Sequence, residues 1–213
     1  MILNRARTAI QMLTGVAAVA LCSAGGVSAA HADTVETNEA AFESFVADLK
    51  VDDTTEAALN ARFDRLSPTE QERFLDAVSE DPLSVMEFSE AQAPTLTAEP
   101  TRDRAGASRY TATYPVNVNL WGITTGTFNL RYGFEATSIA VTRNLECTGW
   151  FSGFGGPWSI NQTASNYISA GAGTCKVHHR LSFLYQGSSW MANKEQGLTY
   201  RGTALVSGWL KNI

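Results

Sequence analysis

Cysteine is scarce in this 213-residue chain: Cys22, Cys147 and Cys175, with no CxxC pair. Structural metal sites gather about four ligands at short spacing, so no metal site and no cofactor is expected. Histidine is as rare. Beyond residue 32 only His178 and His179 remain. No HExxH, GxSxG, P-loop or DxDxDG pattern occurs, which removes the motif-borne routes to metalloprotease, α/β-hydrolase, nucleotide and calcium chemistry. Carboxylates also run out: after residue 100 there are only Asp103, Glu135, Glu146 and Glu195. Two-carboxylate glycoside hydrolysis needs a pair at a set separation, and nothing marks one. The chain is therefore read as non-enzymatic. No apolar run reaches the roughly 18 residues of a membrane helix. The cations are scattered rather than clustered, which argues against nucleic acid.

What is present begins with an export signal. Arg5 and Arg7 precede an apolar stretch from Leu13 to Leu21, and Ala30-His31-Ala32 makes an A-x-A site. Residues 1–32 are read as a signal peptide cleaved after Ala32, with a secreted, extracellular product. Cys22 follows Leu21, a poor fit to a lipid-attachment site, and leaves with the leader. Cys147 and Cys175 are then each other's partners, and an exported chain keeps such a pair oxidised.

Charge is strongly asymmetric. From Asp33 to Pro100 there are 17 acidic and 4 basic residues; from Thr101 to Ile213 there are 4 acidic and 10 basic. The net charge of −5 hides the difference. The basic half suits anionic partners such as a cell-wall polymer or lipid head groups. The nearest anion is the chain's own acidic half. This suggests that the acidic helices dock on the basic domain, as a fixed subdomain or as a mask removed by cutting at Arg102 or Arg104.

The apolar period divides the chain. Residues 33–91 read as an acidic helical segment. Phe42, Phe45, Val46 and Leu49 form one stripe, with Asn38 as a candidate cap. A second helix begins near Thr55 with Leu59, Phe63 and Leu66 on one side. Ser67-Pro68-Thr69-Glu70 opens a third with a capping box and proline at its first position. Asp81-Pro82 is read as the start of a fourth, with Leu83 and Met86 inward. A bundle this small is marginal alone and needs the second half to pack on. Residues 92–108 read as a hydrated linker. From residue 109 the period is two: Val116, Val118 and Leu120 alternate with asparagines, as do Phe128, Leu130 and Tyr132 with Asn129 and Arg131. Strands are also expected at 175–185 and about 198–210. The fold class is α+β: a small acidic helical segment, then an all-β domain over 109–213, an antiparallel sandwich or barrel-like structure closed by one disulfide.

All five tryptophans and all six tyrosines fall after residue 109. Most suit strand cores. Trp150, Phe151, Phe154 and Trp158 are spaced by glycines between the two cysteines and read as a surface loop. Asn161, Gln162, Thr163 and Asn166 flank it as hydrogen bonders, and Asn161-Gln162-Thr163 is also a glycosylation sequon. In a strand, adjacent residues face opposite sides. His179 therefore joins Val177 and Leu181 in the core, and His178 joins Lys176 and Arg180 on an exposed strip. The expected function is a secreted binding protein that recognises a surface glycan or protein partner through the aromatic loop, with Trp150, Phe151, Phe154, Trp158, Asn161, Asn166 and His178 as candidate contacts. One alternative is a secreted hydrolase that pairs His178 with Glu135, Glu146 or Glu195 in a cleft. Another is a structural envelope protein with every apolar face satisfied internally.

Overall fold

The computed structural model describes residues 29–90, 92–99, 107–153, 155, 158–185 and 188–213. Nearly all of the expected leader, with Cys22, lies outside them, as do Phe154 and the candidate cleavage points Arg102 and Arg104. Three helices come first: α1 (Ala29–Leu49), α2 (Asp53–Phe63) and α3 (Pro68–Glu80). α1 starts well before Asn38, so that residue is interior to the helix and is not its cap. Asp52 caps α2 by accepting from the backbone of Thr54 and Thr55, both at 3.1 Å. The box at α3 forms as expected: Ser67 N donates to Glu70 Oε2 at 2.8 Å, with Pro68 in the first turn.

The expected fourth helix is a turn. Asp81 Oδ1 accepts from Leu83 N at 3.0 Å, a local bond that competes with helix formation. The chain then enters β1 (Glu87–Glu90), with Met86 buried. The expected linker also contains a strand, β2 (Thr95–Glu99). Both pair antiparallel with β3 (Ser108–Leu120), one after the other along the same edge. β2 is mostly exposed, so it needs no apolar alternation. Its backbone ladder holds it, with Thr111 Oγ1 donating to Glu99 at 2.7 Å.

The rest is an antiparallel meander: β4 (Ile123–Ala136), β5 (Val141–Gly153), β6 (Trp158–Ser169), β7 (Ala172–Tyr185), β8 (Ser188–Arg201) and β9 (Ala204–Asn212). One sheet holds β1 and β2 beside β3, then β4 and β5; the other runs β6-β7-β8-β9. No ladder joins β5 to β6, so there is no closed barrel. The strand expected over 198–210 is in fact the end of β8, a turn at Gly202 and the whole of β9. Gly202, at φ 57°, takes the left-handed conformation that this turn requires.

The sheets meet face to face. Phe128, Leu130, Tyr132 and Phe134 of β4 alternate inward and are fully buried. Phe128 packs on His179 of β7 at 4.7 Å, and Phe134 on Tyr200 of β8 at 5.2 Å. Cys147 of β5 and Cys175 of β7 form the disulfide, Cα–Cα 5.5 Å, which ties one sheet to the other.

The helices cap the end of the sheets marked by the β3–β4 turn. Trp121, at φ 52°, and Gly122, at φ 78°, form that two-residue turn. It carries the indole into the helices, 4.5 Å from Phe74 and 5.7 Å from Phe42. Phe42 in turn stacks on Phe63 at 4.1 Å. The strand domain thus supplies an aromatic that the small bundle lacks. The helices are held by this aromatic cluster rather than by ion pairs: every ion pair among the described residues joins two strand residues.

Candidate functional site

The structure takes the expected aromatic loop apart. Its residues lie mostly in strands β5 and β6. Trp158 is core, 8% exposed. Phe151 is half-buried, with its ring 5.1 Å from Phe128. It covers Gly126, where any side chain would meet it. Trp150, 45% exposed, stands alone on the outer face of β5. Asn166 accepts from Asn144 Nδ2 at 3.0 Å, on the side of β6 turned toward β5. β6 is an edge strand exposed on both faces from Asn161 onward. Its polar composition therefore resembles a loop.

A different set converges on the outer face of β6–β9. The register places Asn161 beside Arg180, Thr163 beside His178, and Tyr167 beside Thr174. Across β7 and β8, Lys176 faces Gly197 and His178 faces Glu195. Across β8 and β9, Glu195 faces Lys211 and Gly197 faces Trp209. Period-two geometry directs all these side chains outward. Of the expected contacts, Asn161 and His178 belong to this face. Lys176 and Arg180 belong to it as the strip read from the sequence, and Glu195 as one of the three glutamates offered to His178, whereas Tyr167, Trp209 and Lys211 are added by the structure. The alternation around Gly197 was the available signal for Trp209. A glycine in a strand marks a close approach, and the indole lies against it at distances no Cβ would allow.

Glu195 is the hub. Its side chain is 8% exposed. Oε1 accepts from Lys211 Nζ and Trp209 Nε1, each at 3.0 Å. Oε2 lies 3.0 Å from His178 Nε2 and 3.7 Å from Lys176 Nζ. Burial alone would push this carboxyl up. The hydrogen bonds from Lys211, Trp209 and His178 and the charge of Lys176 outweigh it and hold the group at about 2. Lys176 Nζ sits 5.9 Å from the ring centroids of both Tyr167 and Trp209, within cation–π range. Arg180 has no carboxylate partner among the described residues; its guanidinium reaches Met191 Sδ at 3.4 Å. Asn161, Thr163, His178, Arg180 and Asn193 line an open groove of about 630 Å³.

His178 and His179 diverge as the strand period requires. His179 is fully buried, with Nε2 3.1 Å from Gln196 Oε1. A second recess, between Lys50 and Thr55 of the helical segment and Thr124–Thr127 of β4, holds about 390 Å³. Its one acid, Asp52, is engaged in capping α2. Among the described residues no group of three or more His, Cys, Asp or Glu is placed to hold a metal ion, and no helix is long and apolar enough to cross a membrane. Comparison with protein-family models, with curated proteins and with solved structures finds no match for this chain.

Proposed function

We propose that this is an exported, non-enzymatic binding protein that recognises an anionic ligand at a cell surface through the outer face of β6–β9. One observation carries the reading. Lys176, His178, Arg180 and Lys211 share this face with a single carboxylate, which is sunk beneath them and ionised. The face keeps a surplus of positive charge with Arg180 unspent. Trp209 and Tyr167 add flat apolar surface, and Asn161 and Asn193 add amides. Arginine presents a planar fork suited to carboxylate, sulfate or phosphate groups. Aromatic–cation arrays of this kind are stiff, so little conformational entropy is lost on binding.

The hydrolase reading has the His178–Glu195 contact in its favour. Two features weigh against it. The pair lies on an open strand face, and Glu195 is saturated by donors, so its carboxylate neither supplies nor takes a proton readily near neutral pH. The test is retention of the exported protein on an immobilised acidic polysaccharide such as heparin, beside neutral dextran, over a salt gradient. Retention on heparin that falls with salt and weakens about tenfold in an Arg180→Ser/Lys211→Ser variant supports the reading. Equal retention of the two proteins, or none, overturns it.

A further inference from the structure

We infer that the anionic ligand of this face is a lipid bilayer, and that the three strand turns at its lower end insert into it. The inference rests on reading the face as anion-binding. The observation is a cluster of apolar side chains held in water at one end of the molecule. Ile139, 78% exposed, projects from the β4–β5 turn. Ile168 leads into the β6–β7 turn, and Leu205 and Val206, the latter 59% exposed, follow the β8–β9 turn. These turns are not independent loops. Val141 N donates to Gly171 O at 2.9 Å, joining the first to the second. A Cβ on Gly171 would lie 3.1 Å from that of Ala140, and Gly202 sits against the backbone of Ser138 and Ile139. Thr137 braces its own turn: its Oγ1 accepts from Ala140 N at 3.3 Å and Ile139 N at 3.4 Å. The apolar groups are thus preorganised on a rigid tip.

Charge names the occupant. Arg201 pairs in register with Ala172 and Ala204, at the rim of the tip on the basic face. Lys176 follows four residues along β7, about 13 Å away at the rise of a strand, between Tyr167 and Trp209. Apolar tip, aromatic and cationic flank, in that order, match the acyl, interfacial and headgroup layers of an anionic membrane. The glutamates near this end are already paired: Glu99 with Arg109, and Glu135 with Arg109 and Arg143. The acidic helices cap the opposite end, about 45 Å away by the length of a 14-residue strand, so their charge points away from the bilayer.

The experiment is co-sedimentation of the exported protein with phosphatidylcholine vesicles and with vesicles containing 30% phosphatidylglycerol, with heparin retention in parallel. The proteins are wild type, Ile139→Ser/Val206→Ser and, on the basic face within reach of the headgroups, Lys176→Ser/Arg201→Ser, each checked by circular dichroism. The tip positions are exposed, so folding is preserved. The inference expects wild type to bind the anionic vesicles well above the neutral ones. The tip variant should lose about tenfold per side chain, about a hundredfold together, while keeping its heparin retention. The basic-face variant should lose both. Vesicle binding unchanged in the tip variant overturns insertion. Wild type that binds heparin but no vesicle overturns the bilayer as ligand and leaves an acidic glycan on the same face. No binding to either overturns the reading of the face itself.

Discussion

His179 should make the stability of this protein depend on pH between about 6.5 and 4. The imidazole is fully buried against Phe128. Gln196 fixes its tautomer. The amide nitrogen of Gln196 donates to Tyr114 O at 2.7 Å and Phe128 O at 3.4 Å, so its oxygen faces His179 and accepts from Nε2. The second proton of an imidazolium would have to sit on Nδ1, which is buried with no hydrogen-bond partner among the described residues. Burial therefore drives the pKa down, the Gln196 bond recovers part of the shift, and neighbouring His178 opposes that recovery; the net value is about 4. The unfolded chain takes up this proton near 6.5 and the folded chain only near 4. Acid therefore favours unfolding in that window. The contribution is complete above about 6.5 and is lost as pH falls toward 4. A separation of about 2.5 units corresponds to about 3 kcal/mol. Urea unfolding from pH 8 to pH 4, on wild type and His179→Gln, isolates the effect, because carboxylate contributions cancel in the difference. Wild type should lose about 3 kcal/mol more than the variant over that range. Parallel curves would refute the argument, as would a resonance assigned to His179 that titrates near 6.5 in the folded protein.

Three further outcomes follow from the same contacts. Trp121→Ala should cost about 3 kcal/mol, since it empties the centre of the Phe42–Phe63–Phe74 cluster; limited proteolysis should then cut the helical segment first. Gly197→Ala should displace the Trp209 indole, shifting its fluorescence and costing about 1–3 kcal/mol by overpacking. Reduction of Cys147–Cys175, or its replacement by alanines, should lower stability by about 3–4 kcal/mol for a sequence separation of 28, read as a shift of the denaturation midpoint.

Several features were legible in the sequence because their causes are local. The capping box at Ser67–Glu70 needs only four consecutive residues. The inward alternation of Phe128, Leu130, Tyr132 and Phe134 needs only the pleat of one strand. The opposite fates of His178 and His179 follow from the same pleat. Of the strands that the pattern does not reveal, two present almost no buried face. β2 and β6 lie at sheet edges, where backbone pairing suffices and the side chains are free to be polar. The aromatic set near Trp150 misled for a related reason: the glycines that suggest a loop allow close approach, with Phe151 over Gly126 and Val177 against Gly149.

By itself, then, the sequence determined the order of helices before strands, the cysteine pair, the charge division and which faces of the central strands turn inward, because each depends on residue type and short-range period. Only the tertiary structure decided what those faces bring together. Strand register set Lys176, His178, Glu195, Trp209 and Lys211 side by side from three strands. The meander gathered the turns of Ile139, Ile168 and Leu205 at one end and sent Trp121 to the other. Those are contacts between residues far apart in the chain, and no local pattern encodes the register that makes them.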